Sequence, residues 1–287
     1  MPRLLDPITK SLGEFTVSRI LPNSSQQMIG PFIFFDHMGP VNFPEGQGVD
    51  VRPHPHIGIA TVTYLFEGSI LHRDSLGYEQ EIRPNDINWM TAGKGIVHSE
   101  RETKKVRNSD HTLHGLQLWV ALPDDKQEIE ANFHHHPKET LPLFEYEEAT
   151  IRLMIGEIFG KKSPVKVYSP MFYADVTMPE NTTISIPKNG QELGIYVIDG
   201  VVSIDNKTYN KFDFIYADQE EEIAITANKN AKLILIGGEA FDTKRYIWWN
   251  FVSNSMNRIE QAKSDWLNGN FNKVPNDNEY ITLPEIK

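Results

Sequence analysis

The sequence predicts an all-β protein: two similar β-barrels in tandem, followed by a short C-terminal helix. Three observations carry that expectation. Apolar runs are short, about 4–8 residues of Val, Ile, Thr, Tyr, Phe or Trp, and each is cut by Gly, Pro, Asn or Asp, a pattern of strands in sandwiches and barrels. A weak internal repeat links the two halves. All ten histidines lie at or before His136, so two halves that share a fold would not share chemistry.

The runs fall in order at residues 29–40, 59–68, 86–93 and 114–123 in the first half. In the second they fall at 172–180, 182–190, 193–200, 212–218, 222–228 and 231–239. The repeat pairs Thr63-Tyr64-Leu65-Phe66-Glu67-Gly68 with Ile195-Tyr196-Val197-Ile198-Asp199-Gly200. It also pairs Arg83-Pro84-Asn85-Asp86-Ile87 with Asn210-Lys211-Phe212-Asp213-Phe214. Each half reads as an aromatic strand, a Gly turn, a returning hairpin and a polar turn into the next strand. The one convincing helix runs from about Met256 to Leu267. Asn254 or Ser255 is placed to cap it, Ile259, Ala262, Trp266 and Leu267 have helical spacing, and Gly269 stops it. It reads as a packing element. The expected division is a first barrel over residues 1–133, a linker over 134–140 (HHHPKET), and a second barrel plus the helix over 141–287.

Composition narrows the function classes. At about 150 residues per domain, 287 residues suggest two domains, long enough to bury a core without staples. A net charge of −11 disfavours nucleic acid, whose phosphates need clustered positive charge, and anionic membrane surfaces. Cysteine is absent, which excludes disulfides, thiolate catalysis, zinc ribbons and iron–sulfur clusters. The opening MPRLLDPITK has no apolar core and does not read as a signal peptide. No apolar run approaches the roughly 18 residues a membrane span needs. The expectation is a soluble cytoplasmic protein.

The candidate chemistry sits in two short stretches. In Arg52-Pro53-His54-Pro55-His56, side chains alternate along a strand, so His54 and His56 share a face. Their Cα atoms would lie about 6.6 Å apart, close enough for two imidazoles to reach one ion. Pro53 and Pro55 stiffen the segment and suit a strand edge. In Trp89-Met90-Thr91-Ala92-Gly93-Lys94-Gly95-Ile96-Val97-His98-Ser99-Glu100, His98 and Glu100 share a face in the same way. Together they offer three neutral nitrogens and one carboxylate oxygen. Burying such groups unpaired costs several kcal/mol, which a shared cation offsets. A His₃Glu set with open positions suits iron(II), manganese, nickel, copper or zinc, and iron(II) is the expected metal.

Other polar groups have plainer readings. His72 and Asp74 share a face on a returning hairpin arm, His111 and His114 flank a turn with His114 just outside the ligands, and His134-His135-His136 is a solvated linker tract. Glu220–Glu222 is a charged loop, and Lys104, Lys105 and Arg107 are too few to make a nucleic-acid face.

These stretches resemble the pirin family of the cupin superfamily. The matching residues are His54-Pro55-His56, Thr61-Val62-Thr63-Tyr64-Leu65, Glu67-Gly68, the whole of Trp89–Glu100, and His114-Gly115-Leu116-Gln117-Leu118-Trp119-Val120. Beyond about residues 30–122, the tandem layout and the helix after Trp248-Trp249-Asn250-Phe251 extend the likeness. The resemblance implies a bicupin, with iron in the N-terminal barrel held by His54, His56, His98 and Glu100, and no metal in the C-terminal barrel. General cupins often place a ligand Glu four or five residues after the His pair; here those positions are Ala60 and Thr61, which leaves Glu100 as the carboxylate. Some pirin-like proteins are flavonol (quercetin) 2,3-dioxygenases, and others act as transcriptional coregulators. The first activity implies a flavonol and O2 as substrates, Glu100 as the base for the flavonol 3-hydroxyl, and ring opening with loss of carbon monoxide. The second implies an iron- or redox-responsive module with a protein partner. The resemblance also places Asp36 near the pocket. Gln117 shares a face with Trp119, where its amide would orient substrate.

Overall fold

A computed structural model describes residues 2–13, 15–187, 190–217 and 223–284; the Glu220–Glu222 run lies outside them. Strands dominate, with one longer helix at Met256–Leu267. Among the described residues no helix is long and apolar enough to cross a membrane.

The chain makes two compact units that interleave along the sequence. One comprises Met1–Ile8, Ile20–Phe34 and Glu139–Phe241; the other comprises Thr9–Arg19, Phe35–Lys138 and Asp242–Lys287. The expected contiguous division at 1–133, 134–140 and 141–287 differs from this at both ends, at Ile20–Phe34 and in the linker. Near the N-terminus, Arg3–Leu4 pairs with Phe214–Ala217, placing Arg3 opposite Tyr216. At the other end, Phe251 bridges Ile57, and both pack with Ile259 and Ala262 of the C-terminal helix. That helix therefore belongs to the unit carrying the histidines. The expected linker begins as a strand: Asn132–His136 pairs with Ile87–Thr91 at the edge of a sheet.

The histidine-bearing barrel uses two sheets. A seven-stranded sheet runs Asn132–His136, Ile87–Thr91, Ile59–Glu67, His111–Ala121, Phe32–Phe43, Thr16–Leu21 and Ile8–Ser11. A four-stranded sheet runs Asp50–His56, Ile96–Arg101, Ile70–Asp74 and Glu79–Ile82. The other barrel repeats the plan. Its eight-stranded sheet includes Glu192–Asp199, Ala231–Gly238 and Met171–Met178, and its four-stranded sheet includes Thr183–Ile186, Ile223–Ala227 and Val201–Ile204.

The internal repeat survives as matched hydrogen bonds. Asn85 N–H donates to Leu65 O at 2.8 Å, and Phe212 N–H donates to Val197 O at 2.7 Å. Asp86 and Asp213 cap their turns through bonds from Arg83 N–H at 3.2 Å and Asn210 N–H at 2.8 Å. Asn85 and Phe212 both adopt φ of 71°. Gly68 and Gly200 sit at φ of 85° and 88°, where a Cβ would meet Thr112 O at 2.5 Å and Asn230 O at 2.2 Å. Two conformational demands on those glycines, a left-handed backbone and close approach, recur at one place in each barrel.

What differs is the lining. Inward positions of the second barrel are aliphatic: Leu193, Ile195 and Val197 meet Leu233, Leu235, Ile184, Ile225 and Val202 in one buried cluster. Such a lining offers no ligand atoms. In the first barrel the corresponding strands carry His54, His56, His98, Thr63 and Gln117.

The C-terminal helix forms over Met256–Leu267 as predicted. Ser255 occupies the capping position but its side chain makes no capping bond, and Gly269 ends the helix at φ of 71°. Ile259 and Ala262 are its buried residues, and Trp266 packs beside them.

Candidate metal centre

The strands Asp50–His56 and Ile96–Arg101 pair antiparallel, placing His98 opposite His54 and Ile96 opposite His56. Alternation turns His54, His56 and His98 to one side, as the sequence predicts. Their rings form a compact triangle, with centroids 4.5 Å apart for His54–His98 and 5.0 Å for each of the other two pairs. One ligand nitrogen from each ring lies within 4.8 Å of the other two. All three side chains are buried.

Burial sets their charge. It lowers His54 to about 4, against an opposing bond to the Arg52 carbonyl, with His72 adding a smaller push downward. Burial likewise holds His56 and His98 well below the usual histidine range, reinforced at each by the neighbouring imidazoles. All three are therefore neutral near pH 7, the form in which imidazole binds a metal. His54 Nδ1–H donates to Arg52 O at 2.8 Å, which leaves its Nε2 lone pair free. His98 Nε2 is buried with no hydrogen-bond partner. An orphaned buried lone pair beside two more neutral imidazoles fits a divalent transition metal.

Among the described residues, the group with mutually close ligand atoms is His54, His56 and His98 alone. The sequence also names Glu100 as a ligand; in the structure its buried carboxylate is held by Thr63 and Gln117. The pairing carries a bulge here: the register runs from His98 opposite His54 to Glu100 opposite Val51, so the strand of His54 and His56 spends an extra residue around Arg52 and Pro53. Proline lacks the N–H that a regular ladder would use there. Thr63 Oγ1–H and Gln117 Nε2–H both donate to Glu100 Oε1 at 3.3 Å. Burial raises the Glu100 carboxyl above the usual range, opposed by His72 and by these two bonds. That makes it a stronger base than a surface glutamate.

Gln117 itself has its Oε1 buried and without a hydrogen-bond partner. Trp119, on the same strand face, stands edge-on to His56 with centroids 5.0 Å apart. Asp36 is different. Arg19 grips its carboxylate with two bonds of 2.8 Å, so its oxygens hold a guanidinium fork. Burial is the largest influence on Asp36 and raises its pKa, while Arg19 opposes it. No bond ties it to the histidine triangle.

Sequence reasoning missed Thr63 and underrated His72. Thr63 stands opposite Gln117 in the register; a threonine pair, Thr61 and Thr63, spaced i, i+2 within an apolar strand was the available signal. His72 pairs in register with Glu100, and its Nδ1 lies 3.4 Å from His98 Nδ1. Elsewhere, His114 Nε2 meets His37 Nε2 at 2.8 Å, and His111 bonds Glu102 at 3.0 Å. His135, expected in a solvated linker, bonds Asn88 Oδ1 at 2.7 Å from within its edge strand. Lys104–Arg107 form a short helix capped by Thr103.

Two cupin barrels, one packed with a buried hydrophobic cluster and one bearing three converging neutral histidines, define a bicupin with a candidate metal centre in its first barrel. The sequence comparisons narrow that class. Residues 14–120 match the family described as Pirin, and residues 173–272 match the Pirin C-terminal cupin domain. A pirin-like protein of Caulobacter vibrioides is 44% identical over 98% of this chain and 99% of its own length. The chain belongs to the pirin family. It is also 36% identical, over 90% of its length and 80% of the relative's, to a candidate quercetin 2,3-dioxygenase of Pseudomonas aeruginosa. The crystal structure of a quercetin 2,3-dioxygenase from Acinetobacter baumannii superposes with a TM-score of 0.92 at 35% identity, covering 100% of this chain and 96% of that one.

Proposed function

We propose that this pirin-family protein is a metal-dependent dioxygenase that opens flavonols such as quercetin with O2 and releases carbon monoxide. The observation that carries the reading is the division of labour in the first barrel: three uncharged imidazoles converge on one point, while a carboxylate of raised pKa is held next to them by other residues. The likeness to the quercetin 2,3-dioxygenases supports the substrate class. Iron(II) is the proposed metal, with manganese, nickel, copper and zinc as alternatives that the same donors accept.

His54, His56 and His98 would hold the metal, which when bound supplies positive charge that lowers the pKa of an acidic hydroxyl beside it. Glu100 accepts the flavonol 3-hydroxyl proton on its carboxylate, and burial makes that acceptance more favourable than at a surface glutamate. Thr63 and Gln117 hold the carboxylate in place through Oε1. Gln117 Oε1 is left to accept a hydrogen bond from a substrate hydroxyl. Trp119 and the rings of the triangle give a planar substrate an aromatic wall and exclude water.

The test is direct. Protein loaded anaerobically with iron(II), then given quercetin and air, should bleach the flavonol, consume oxygen and evolve carbon monoxide in equal amounts. Absence of all three with every one of the five metals would refute the proposal.

A further inference from the structure

We propose that the C-terminal segment 270–284 is a strap that completes the outer edge of the strand carrying His54 and His56, and that Ile281 is the positioning residue through which it fixes His54. This rests on the reading of His54 as a metal ligand, and it gives a segment far along the chain a part in metal retention.

The strand itself creates the need. Asp50–His56 is at the edge of its four-stranded sheet, where Ile96–Arg101 is its neighbour on the inner side. An edge strand turns a row of backbone groups outward with no ladder to hold them. The bulge at Arg52 and Pro53 interrupts the inner ladder as well, and Pro53 and Pro55 have no N–H to donate. His54 follows this weak point directly, and its ring is oriented by the bond from Nδ1–H to Arg52 O at 2.8 Å. That ring is only as well fixed as the bulge.

The strap meets the bulge from outside. Ile281 N–H donates to Pro53 O at 2.9 Å, and Ile281 O accepts Trp266 Nε1–H at 3.0 Å. Both backbone groups of one residue thus link the C-terminal helix to the histidine strand. Trp266 is held in turn by Phe271 and Tyr280, nearly perpendicular to it with centroids 5.8 and 6.2 Å away. Arg101 closes the other side of the bulge. It stands opposite Asp50 in the register, and its guanidinium contacts Asp50 at 3.3 Å, Asp277 at 3.4 Å and Glu279. One cation therefore joins both strands to the strap. A cavity of about 270 Å³, lined by Pro53, Val97, Trp266 and Tyr280 among others, lies between these contacts. This face is held by a few discrete bonds rather than by continuous packing, so the loss of one is felt at Pro53. Outer contacts that orient a ligand's own hydrogen-bond partner tune metal affinity.

The experiment uses the full chain and needs no turnover. Ile281→Pro deletes the N–H that Pro53 O accepts, and Ile281→Val keeps it. Without metal, hydrogen exchange read on peptides across residues 50–56 should be faster in Ile281→Pro and unchanged in Ile281→Val. With cobalt(II), affinity from chelator competition should fall about tenfold in Ile281→Pro, and the visible absorption should change as one imidazole shifts. Ile281→Val should match the parent in both. Unchanged exchange in Ile281→Pro would overturn the strap. Faster exchange with cobalt affinity within about twofold of the parent and the same absorption would show a merely structural contact, and would overturn the positioning role. An equal loss in Ile281→Val would also overturn it, since the N–H would not be the cause. If Ile281→Pro does not fold, Asp277→Asn combined with Glu279→Gln, which frees the strap from Arg101, decides on the same readings. A parent protein that takes up no cobalt would instead refute the metal centre, while exchange across residues 50–56 would still judge the strap.

Discussion

Acidification should unfold the histidine-bearing unit through the metal ligands themselves. A histidine in the unfolded chain titrates near 6.5, whereas His54 in the folded barrel is lowered to about 4 by burial. Folding therefore expels a proton from it at any pH between those values. Its contribution is intact above about 6.5 and is lost progressively as pH falls toward about 4. At about 1.4 kcal/mol for each pH unit between the folded and unfolded values, His54 alone removes roughly 3 kcal/mol across that window. His56 and His98 are lowered in the same direction and for the same reason, so metal-free protein should lose stability steeply with acid. The assay is urea denaturation followed by tryptophan fluorescence. Trp89, Trp119, Trp248, Trp249 and Trp266 all fall within this one unit, so the signal reports it alone. His54→Gln should flatten the dependence by about one proton, or ~1.4 kcal/mol per pH unit. Parallel curves for His54→Gln and the parent protein between pH 6.5 and 4 would refute the argument that these imidazoles are buried in neutral form.

Four further outcomes follow from the same geometry. His98→Ala should abolish one-to-one metal binding, measured as metal content after desalting; retained stoichiometric metal would contradict its place in the triangle. Glu100→Gln should keep some metal through His54, His56 and His98, yet lose flavonol turnover; full activity would remove Glu100 as the base. Thr63→Val deletes one of the bonds that lower the Glu100 carboxyl, so the acid limb of the pH–rate profile should move upward, and an unmoved limb would count against that contact. Gly200→Ala forces a Cβ to within 2.2 Å of Asn230 O at a left-handed φ, and circular dichroism should show a loss of at least about 1–2 kcal/mol.

Period-two alternation is a covalent property of extended chain, and that is why His54 with His56, and His98 as their partner, could be located before any strand was placed. The repeat was legible for a similar reason: Gly68 and Gly200, and the Asp86 and Asp213 turns, answer to local backbone conformation. The bulge at Arg52 and Pro53, between the pairs His98–His54 and Glu100–Val51, shows where this logic stops, since a bulge belongs to the pairing of two strands rather than to either one. Asp36 shows another limit, since Arg19, which claims its carboxylate, lies 17 residues earlier in the chain.

The amino-acid order by itself determined the all-β class, the lack of histidine in the second barrel, the C-terminal helix and the three imidazoles on one side of two strands. Each follows from residue chemistry and the geometry of a single element. Only the folded chain decided that the first strand and the last helix pack with the barrel encoded at the other end of the sequence. It alone decided that Thr63 and Gln117 hold the carboxylate. Those outcomes depend on contacts among elements distant in sequence, where burial and register are chosen by the free energy of the whole unit.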